Sequence, residues 1–523
     1  MLVMEKKHTL VLKLHDPAQV LNVVPSAQSF TVKGTPLVAV PHRTEETRLL
    51  RNLGYDAPAP IRTYYDWPGR FTPFHAQKEA AAFLSMHKRA FNLSELGTGK
   101  SLASLWAYDY LKSIGLLNKC LVISPLSTLE RTWADELFNH FPHLTFAVLH
   151  GSREKRIKLL AEDFDVYIVN HDGVGIIEPH LTTRTDIDLV IVDEIAQCAR
   201  NAGTTKWRKI NLVVNRHKVP RSCWGMSGTP TPNAPTDAWA QCRLINPDSV
   251  PPYFNRFKSQ VMKQKSQFQW LPRPEATEIV KNVMQPAVRF TRDECLDLPP
   301  LMYETRQVSL TKEQNKAYKE MLTKLTIEAD EGEITAVNEA VKMAKLIQIA
   351  CGVVYATDGT EVTIPTSPRV EETRSIIQSA QGKVIVFVPF VSSVKMVAEE
   401  LRKTFTVDVI HGGVKKNDRD RIFADFQRSE DPRVIVAQPA AMSHGLTLTA
   451  ASTIIWYSCI TSNETFEQAN GRINRPGQKM SNFIICLEGT PVERRVYARL
   501  RSKQKMQGAL LDEVKLHRGS VMP

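Results

Sequence analysis

The sequence predicts an α/β protein with two parallel-sheet lobes, a helical middle insertion and a small β-rich N-terminal unit. The first observation is a series of short β-branched runs that alternates with helical stretches, at residues 120–124, 165–169, 188–192 and 222–226. A second such series has runs at 383–388, 407–412, 434–438, 452–458 and 482–488. This alternation is typical of parallel sheets covered on both faces by helices. The third observation is the length of 523 residues, which suggests three or four domain-sized units.

These patterns divide the chain into four predicted regions. The first is a small β-rich accessory domain, in which Leu10, Leu12 and Leu14 share one strand face and two strands flank a Lys33-Gly34 turn. Alternatively, these residues form no separate domain and only extend the edge of the domain that follows. The four regions are the accessory domain at 1–65, the first lobe at 66–247, the helical connector at 248–370 and the second lobe with a C-terminal helical segment at 371–523.

The amino-acid composition excludes some classes of protein and favours others. Lys plus Arg number 67 and Asp plus Glu number 55, so the net charge of +12 favours a polyanionic partner, although many basic proteins have none. No apolar run approaches the roughly 20 residues of a membrane helix, and charges come too early for a secretory signal. The 8 cysteines include no C-x-x-C pair, which argues against zinc and favours buried thiols in a reducing compartment. We expect a cytoplasmic protein, or a nuclear one in a eukaryote.

A phosphate-binding loop is predicted at residues 94–101, which read SELGTGKS before a helical stretch. Glycines let backbone N–H groups close around phosphate oxygens, and the lysine of such a loop reaches the β- and γ-phosphates while the serine ligates Mg²⁺. The alternative is a glycine-rich turn with a solvated lysine, because Ser94 stands where the usual pattern has its first glycine. The predicted ATP-binding residues are Leu96, Gly97, Thr98, Gly99, Lys100 and Ser101.

An acidic pair ends the run DLVIVDE at residues 188–194. Carboxylates at the C-terminal edge of a parallel sheet lie where ligands of α/β proteins bind. Asp193 is predicted to hold Mg²⁺ through water, and Glu194 to orient and deprotonate the attacking water. Solvated acids at an ordinary strand end are the alternative, which the upstream phosphate loop disfavours.

Two arginines in QANGRINRPGQ, at residues 468–478, are predicted to serve hydrolysis from the second lobe. Arg472 and Arg475 are three residues apart, so on a helix they share one face. Their planar guanidinium groups suit bidentate phosphate contacts. We expect them to act as arginine fingers when the lobes close, whereas the alternative is a basic, solvated surface helix.

These elements, in this order, resemble a superfamily-two helicase core, and residues 70–510 are similar to the Snf-like DNA translocases. The resemblance is carried by the phosphate loop, the arginine segment and segments at 121–137, 225–240, 290–304 and 444–457. It implies two RecA-like lobes that use ATP and Mg²⁺. It also implies that Gln77 reads adenine and that Ser227, Thr229 and Gln468 couple the ATP site to the lobes. Two departures are Ile195-Ala196 after the acidic pair, where the family has Ala-His, and Asn474 in place of a common histidine.

The resemblance further implies that nucleic acid crosses both lobes beside the ATP cleft. Small polar side chains and backbone N–H groups suit phosphate contacts that carry no base information, although for each isolated residue a cap or loop role is an alternative. The implied contacts are Ser124, Pro125, Ser127, Asn170 and His171 in the first lobe, and Pro389, His411, Gly412, Ser443 and His444 in the second.

Two basic stretches of the sequence are further candidates for contact with nucleic acid. Residues 255–273 carry five basic residues and no acid, with Phe257, Phe268 and Trp270 interleaved; they predict either a clamp on nucleic acid or a solvated helix with an apolar stripe. Residues 491–523 carry eight basic and three acidic residues. They are predicted to form either a helix packed against a lobe or a tail that binds DNA.

The predicted function is therefore an ATP-driven DNA translocase or helicase that acts as a monomer on duplex, forked or branched DNA. Fork remodelling, branch migration or annealing fits a compact core with a small N-terminal unit. The alternatives are an RNA helicase, a nucleic-acid-stimulated ATPase that clamps without unwinding, and an inactive binding module.

Overall fold

The computed structural model describes residues 1–216, 220–266, 270–295, 301–330, 336–355, 360–442, 448–475 and 477–502. The chain divides into two compact units, which are residues 1–296 and residues 297–523. Each unit contains one parallel sheet packed against helices, which confirms the predicted α/β class with two lobes. Of the helices in the described ranges, none has the length and apolar character needed to cross a bilayer.

The chain begins with an antiparallel sheet of four strands in the order β1-β2-β4-β3. Leu10, Leu12, Val38 and Val40 alternate with more exposed residues and bury one face of the sheet. The strands are β1 (Leu2–Met4), β2 (Thr9–Leu12), β3 (Gln28–Val32) and β4 (Thr35–Pro41), and the helices are α1 (Pro17–Val23), α2 (Thr44–Asn52) and α3 (Ile61–Tyr64). The predicted hairpin forms, because Lys33 and Gly34 both take the positive φ of a two-residue turn.

Helix α2 attaches this small sheet to the rest of the first unit. The Arg48 guanidinium donates hydrogen bonds to the carbonyl oxygens of Ser85 at 2.8 Å and Met86 at 3.0 Å. The Thr44 hydroxyl lies 3.3 Å from the Tyr110 hydroxyl. The N-terminal sheet therefore has its own apolar core and also polar contacts with the following residues.

Seven parallel strands form the central sheet of the first unit, in the order β13-β5-β10-β9-β6-β8-β7. The strands of this unit are β5 (Arg89–Asn92), β6 (Lys119–Ser124), β7 (Phe146–Val148), β8 (Val166–Asn170), β9 (Ile187–Val192), β10 (Ser222–Met226), β11 (Met262–Gln264), β12 (Trp270–Pro272) and β13 (Ala287–Val288). Strands β11 and β12 form a separate hairpin. Every residue of β6 and β8 is buried, because helices cover both faces of the sheet.

The helices of this unit follow the strand-helix rhythm that the sequence predicts. They are α4 (His75–Met86), α5 (Lys100–Ser113), α6 (Asp135–His140), α7 (Arg153–Ala161), α8 (Val174–Leu181), α9 (Ile195–Cys198), α10 (Thr205–Asn215), α11 (Ala238–Ile245), α12 (Phe254–Val261), α13 (Ala276–Val283) and α14 (Arg292–Cys295). A π-helical turn occupies Leu129–Ala134. Short 3₁₀ turns lie at Glu5–Lys7, Leu126–Thr128, Pro235–Asp237 and Pro247–Ser249.

The second unit has a six-stranded parallel sheet in the order β14-β21-β20-β17-β19-β18. Its strands are β14 (Leu301–Gln307), β15 (Val353–Tyr355), β16 (Glu361–Thr363), β17 (Lys383–Phe387), β18 (Val407–Ile410), β19 (Val434–Ala437), β20 (Ala451–Trp456) and β21 (Asn482–Glu488), of which β15 and β16 form a separate hairpin. Its helices are α15 (Lys312–Asp330), α16 (Ala336–Cys351), α17 (Ser367–Ser379), α18 (Val391–Arg402), α19 (Lys416–Arg428), α20 (Asn463–Asn470) and α21 (Pro491–Arg501), with a 3₁₀ turn at Pro439–Met442.

The predicted middle region, 248–370, is shared between the two units. Its first part, residues 248–296, contains α12, α13 and α14, and its strand β13 pairs with β5 at the edge of the first sheet. Its second part contributes Tyr318, Leu346 and Ile347 to the core of the second unit. The long helices α15 and α16 agree with the helical character predicted for this connector.

Candidate functional site

The predicted phosphate loop connects β5 to α5 at the carboxyl edge of the first sheet. Gly97 and Gly99 have φ values of 87° and 77°, which glycine adopts without steric cost. Helix α5 begins at Lys100, and the ammonium group of Lys100 donates hydrogen bonds to the carbonyl oxygens of Ser94 at 2.8 Å and Glu95 at 3.1 Å. The loop is therefore folded around its lysine, next to the amino terminus of a 14-residue helix.

Gln77 lies against this loop. It is buried at the start of α4, where its side-chain oxygen accepts a hydrogen bond from the Phe74 N–H at 2.9 Å. A Cβ atom added to Gly99 would collide with the Gln77 amide nitrogen. The structure thus brings together the residue predicted to read adenine and the loop predicted to hold phosphate.

Ser94 explains how the loop forms without the usual first glycine. Its hydroxyl accepts a hydrogen bond from the Phe290 N–H at 3.2 Å, and its own N–H donates to the Asn92 side chain at 3.2 Å. Phe290 follows β13 in the chain, so the additional edge strand supports the loop from the side. Sequence reasoning missed this support because a strand of two residues has no detectable periodicity.

The acidic pair follows β9, which is separated from β5 only by β10. The two oxygens of the Asp193 carboxylate accept from the Trp133 indole N–H and the Glu194 N–H, both at 3.0 Å. Burial raises the pKa of Asp193, while the Trp133 bond, the Lys100 charge and the Glu194 N–H oppose that rise. Glu194 has a φ of 46°, which is rare for a residue with a side chain and is typical of functional sites.

The segment predicted to couple the site follows β10, between the phosphate loop and the acids. The Ser227 N–H donates to the Asn92 carbonyl at 3.2 Å, and the Ser227 hydroxyl accepts from the Thr229 N–H at 3.2 Å. A Cβ atom at Gly228 would lie 3.1 Å from Leu96 Cγ, so this segment packs against the phosphate loop.

The residues predicted to contact nucleic acid in the first unit follow the neighbouring strands β6 and β8, but they differ in exposure. Ser127 is exposed, whereas Ser124, Pro125, Asn170 and His171 are buried. The Ser124 hydroxyl donates to the Pro125 carbonyl at 3.4 Å, and the Asn170 side chain accepts from Arg156 at 3.2 Å. Nε2 of His171 lies 2.8 Å from the Asp193 carbonyl oxygen, so His171 contacts the acidic segment.

The predicted arginine pair lies in the second unit, but not on a helix. Helix α20 ends at Asn470, and Arg472 and Arg475 occupy the turns that follow, so the predicted shared helix face is wrong. The chain leaves the helix at Gly471, and the Asn470 side chain accepts a hydrogen bond from the Trp456 indole at 2.8 Å. Arg472 is buried, and Nε of Arg475 donates to the Gly471 carbonyl at 3.2 Å. The side chain of Gln468 donates to Glu464 at 3.3 Å.

The predicted nucleic-acid contacts of the second unit follow two parallel strands that lie on either side of β19. Pro389 comes after β17, and His411 and Gly412 come directly after β18. Both strands pair with β19, so their carboxyl ends lie at the same edge of the sheet. A Cβ atom at Gly412 would meet nothing within 4 Å, and Gly412 is exposed. Ser443 and His444 lie outside the described residues.

The basic stretch at 255–273 is partly packed. Phe257 is buried in the core of the first unit, and the Lys258 ammonium lies 3.8 Å from the centre of the half-buried Trp270 ring. Lys263 and Lys265 are exposed, whereas Phe268 lies outside the described residues. Of the C-terminal stretch, α21 packs Val496, Tyr497 and Leu500 into the second core, and residues 503–523 lie outside the described ranges.

The first-unit residues fit a nucleotide with its magnesium ion. The positive-φ glycines Gly97 and Gly99, the Lys100 ammonium and the Ser101 hydroxyl at the start of α5 supply groups of the right chemistry to hold phosphate and metal. Asp193 supplies a hard carboxylate oxygen, which Mg²⁺ prefers. Across the described ranges, no three or more His, Cys, Asp or Glu side chains form a metal-binding group made by the protein alone.

Two family profiles match the chain. Residues 76–351, more than half of the 523 residues, match the SNF2-related domain. Residues 369–477 match the helicase conserved C-terminal domain. The first match covers the phosphate loop and the acidic pair, and the second covers the arginine segment.

Several relatives are similar over most of this chain. A protein designated p41, from Acyrthosiphon pisum secondary endosymbiont phage 1, is 26% identical over 85% of this chain and 99% of its own length. YwqA of Bacillus subtilis, whose name places it among ATP-dependent helicases and translocases, is 26% identical over 80% of this chain and 46% of its own length. DDM1 of Arabidopsis thaliana, named an ATP-dependent DNA helicase, is 22% identical over 81% of this chain and 59% of its own length. The chain thus spans nearly all of the phage relative but about half of the other two.

Among solved structures, the chain is similar to the Sulfolobus solfataricus SWI2/SNF2 ATPase core in complex with dsDNA. The sequence identity is 22%, and the alignment covers 83% of this chain and 92% of that one, with a TM-score of 0.41. The same archaeal core domain in a second structure gives 23% identity and a TM-score of 0.40.

Proposed function

This chain belongs to the SNF2-related family and is a nucleic-acid-dependent ATPase, and from that premise we propose that it couples Mg-ATP hydrolysis to movement along duplex DNA. The observation that carries the proposal is the meeting of three segments at one edge of the first sheet. The phosphate loop, the Ser227 segment and the acidic pair follow the adjacent strands β5, β10 and β9. This is where a parallel sheet holds a nucleotide.

In the proposed reaction, the first unit positions the triphosphate and the attacking water. Lys100 gives up its contacts with the Ser94 and Glu95 carbonyls and neutralises charge on the β- and γ-phosphates. Ser101 and Asp193 would hold Mg²⁺, which when bound neutralises phosphate charge. Glu194 accepts the proton of the attacking water.

The second unit is proposed to complete the site through arginine. Arg472 and Arg475 provide guanidinium groups that would stabilise the charge of the transferring phosphoryl group. Because they belong to the other compact unit, hydrolysis would depend on an arrangement of the two units that brings them to the phosphates. Such dependence links each hydrolysis event to a mechanical step.

DNA is the proposed partner for two reasons. The net charge of +12 favours a polyanion, and the implied contacts that fall within the described ranges lie at strand ends and in loops, which suit backbone phosphates. DDM1, a relative over 81% of this chain, is named a DNA helicase. We further propose that the substrate is duplex, forked or branched DNA, that a monomer acts on it, and that fork remodelling, branch migration or annealing results.

The test is the rate of ATP hydrolysis by the full chain in the presence of duplex DNA, forked DNA, single-stranded DNA and RNA. We expect duplex or forked DNA to raise kcat at least tenfold, and we expect that rise to weaken steeply with salt as phosphate contacts are screened. Stimulation by RNA alone would support an RNA helicase instead. No stimulation by any nucleic acid would contradict the proposal.

A further inference from the structure

We propose that Trp133 is a positioning residue that transmits nucleic-acid contact at residues 124–134 to the Asp193 carboxylate. This inference rests on the proposed function and assigns a physical connection within its first unit. Trp133 is fully buried, and its indole N–H donates to one oxygen of Asp193 at 3.0 Å. The indole N–H is the single polar group of a tryptophan side chain, so Trp133 makes its one possible side-chain hydrogen bond to Asp193.

The orientation of the Asp193 carboxylate depends on this bond. The second oxygen accepts from the Glu194 N–H at 3.0 Å, which is part of the adjoining backbone. The backbone contact moves with the acid itself, whereas Trp133 holds the other oxygen from a separate segment. A shift of the indole would therefore rotate or release the carboxylate that is proposed to hold Mg²⁺ through water.

A short path joins Trp133 to the surface. After β6 ends at Ser124, Leu126 and Ser127 are exposed, and the chain then passes directly into the π-helical turn that contains Trp133. The Thr128 hydroxyl and N–H both donate to the Pro125 carbonyl, at 3.0 and 3.1 Å, and so close the turn between the two parts. π-Helical turns are rare and are frequently found at functional sites.

A second contact holds the same acid from the neighbouring loop. His171 follows β8, its N–H donates to the Ser124 carbonyl at 3.1 Å, and its Nε2 donates to the Asp193 carbonyl at 2.8 Å. Both loops proposed to face nucleic acid in this unit thus touch Asp193, one at its carboxylate and one at its backbone. A displacement of Ser127 by a bound phosphate would therefore reach Asp193 through a short hydrogen-bonded and packed route, the segment from Ser127 to Trp133.

The experiment compares Trp133→Phe with Trp224→Phe in the full chain. Trp224 is a matched control: it is also fully buried in this unit, and its indole N–H donates to a backbone carbonyl, that of His87, at 2.9 Å. Two quantities are measured, the ratio of kcat with and without saturating duplex DNA, and the Kd of a non-hydrolysable ATP analogue with and without the same DNA. The second readout is a binding equilibrium, in which coupling between two ligands is reciprocal.

We expect Trp133→Phe to lower the stimulation ratio about tenfold and to abolish the effect of DNA on analogue affinity, and we expect Trp224→Phe to retain both. Trp133→benzothienyl-alanine, which fills the indole volume without an N–H, gives the same test if the phenylalanine variant does not fold. A normal ratio and normal coupled binding in either Trp133 variant would overturn the inference. Absence of DNA stimulation in the unmodified chain would instead overturn the proposed function, and this inference with it.

Discussion

At the residue scale, two separate features of the structure disfavour any side chain at position 99, which is occupied by Gly99. Its φ of 77° disfavours any side chain, and a Cβ atom would displace the Gln77 amide. Gly115, at the end of α5, has nearly the same φ of 75° but nothing within 4 Å of an added Cβ atom. The two glycines therefore separate the backbone cost of a substitution from the loss of the Gln77 contact.

We predict that Gly99→Ala weakens ATP-analogue binding at least tenfold, whereas Gly115→Ala leaves the Kd within about twofold. Both variants should lose about 1–2 kcal/mol of stability from the left-handed backbone alone. The measurements are equilibrium titration with a fluorescent ATP analogue and thermal unfolding. Equal affinities in the two variants would show that Gln77 has no part in nucleotide binding.

We predict that Glu194→Gln binds ATP with nearly unchanged affinity but loses at least about 100-fold in kcat, because an amide cannot accept the proton of the attacking water. Glu178→Gln is the control, since Glu178 is a carboxylate of the same unit that pairs with Lys209 at 2.7 Å. Its kcat should stay within twofold of the unmodified chain. Hydrolysis at the normal rate by the Glu194 variant would remove this residue from the mechanism.

At the element scale, a buried ion pair joins the amino ends of two helices in the second unit. Arg369 in α17 and Glu493 in α21 are fully buried, and their two hydrogen bonds measure 2.9 and 2.8 Å. The same carboxylate accepts from the N–H groups of Gly489 and Thr490, so it also caps α21. One side chain thus orients the last described helix against the sheet.

We predict that Glu493→Gln destabilises the second unit by about 3–5 kcal/mol, because it leaves a buried guanidinium without its counter-charge. Glu400→Gln is the control: its pair with Lys403, at 2.7 Å, is exposed and should contribute at most about 1 kcal/mol. Calorimetric unfolding of both variants measures the difference. A loss below 1 kcal/mol for the Glu493 variant would mean that packing alone positions α21.

Some elements of the structure can be predicted from the local sequence pattern alone, whereas others cannot. Fully buried runs such as 120–124 predict β6 correctly, because a strand covered on both faces has to be apolar throughout. The spacing of Arg472 and Arg475 does not reveal that α20 ends before them, at Asn470, since spacing contains no information on where a helix stops. The bond between Trp133 and Asp193 joins residues 60 positions apart, beyond the reach of any periodicity.

At the scale of the whole molecule, the two series of strands predict two sheets, and the phosphate loop and the acidic pair follow strands of the first sheet, as the sequence predicts. The sequence does not predict that the middle region is divided between the two units, because β13, the strand that joins its first part to the first sheet, is only two residues long. The seven buried cysteines and the half-buried Cys295 agree with the expected structural thiols, and all eight are free. Their burial raises the pKa of Cys198, Cys223 and Cys351 to about 12, so these thiols stay protonated.

Movement along DNA is the central claim, and displacement of a third strand from a triplex tests it most directly. The third strand contacts only the duplex, so a protein that moves along the duplex removes it, whereas a protein that clamps in place does not. We predict ATP-dependent release by the unmodified chain, at least tenfold faster than spontaneous dissociation, and no acceleration by Glu194→Gln. Duplex-stimulated ATP hydrolysis with no acceleration of strand release would contradict translocation and would identify a stationary ATPase clamp.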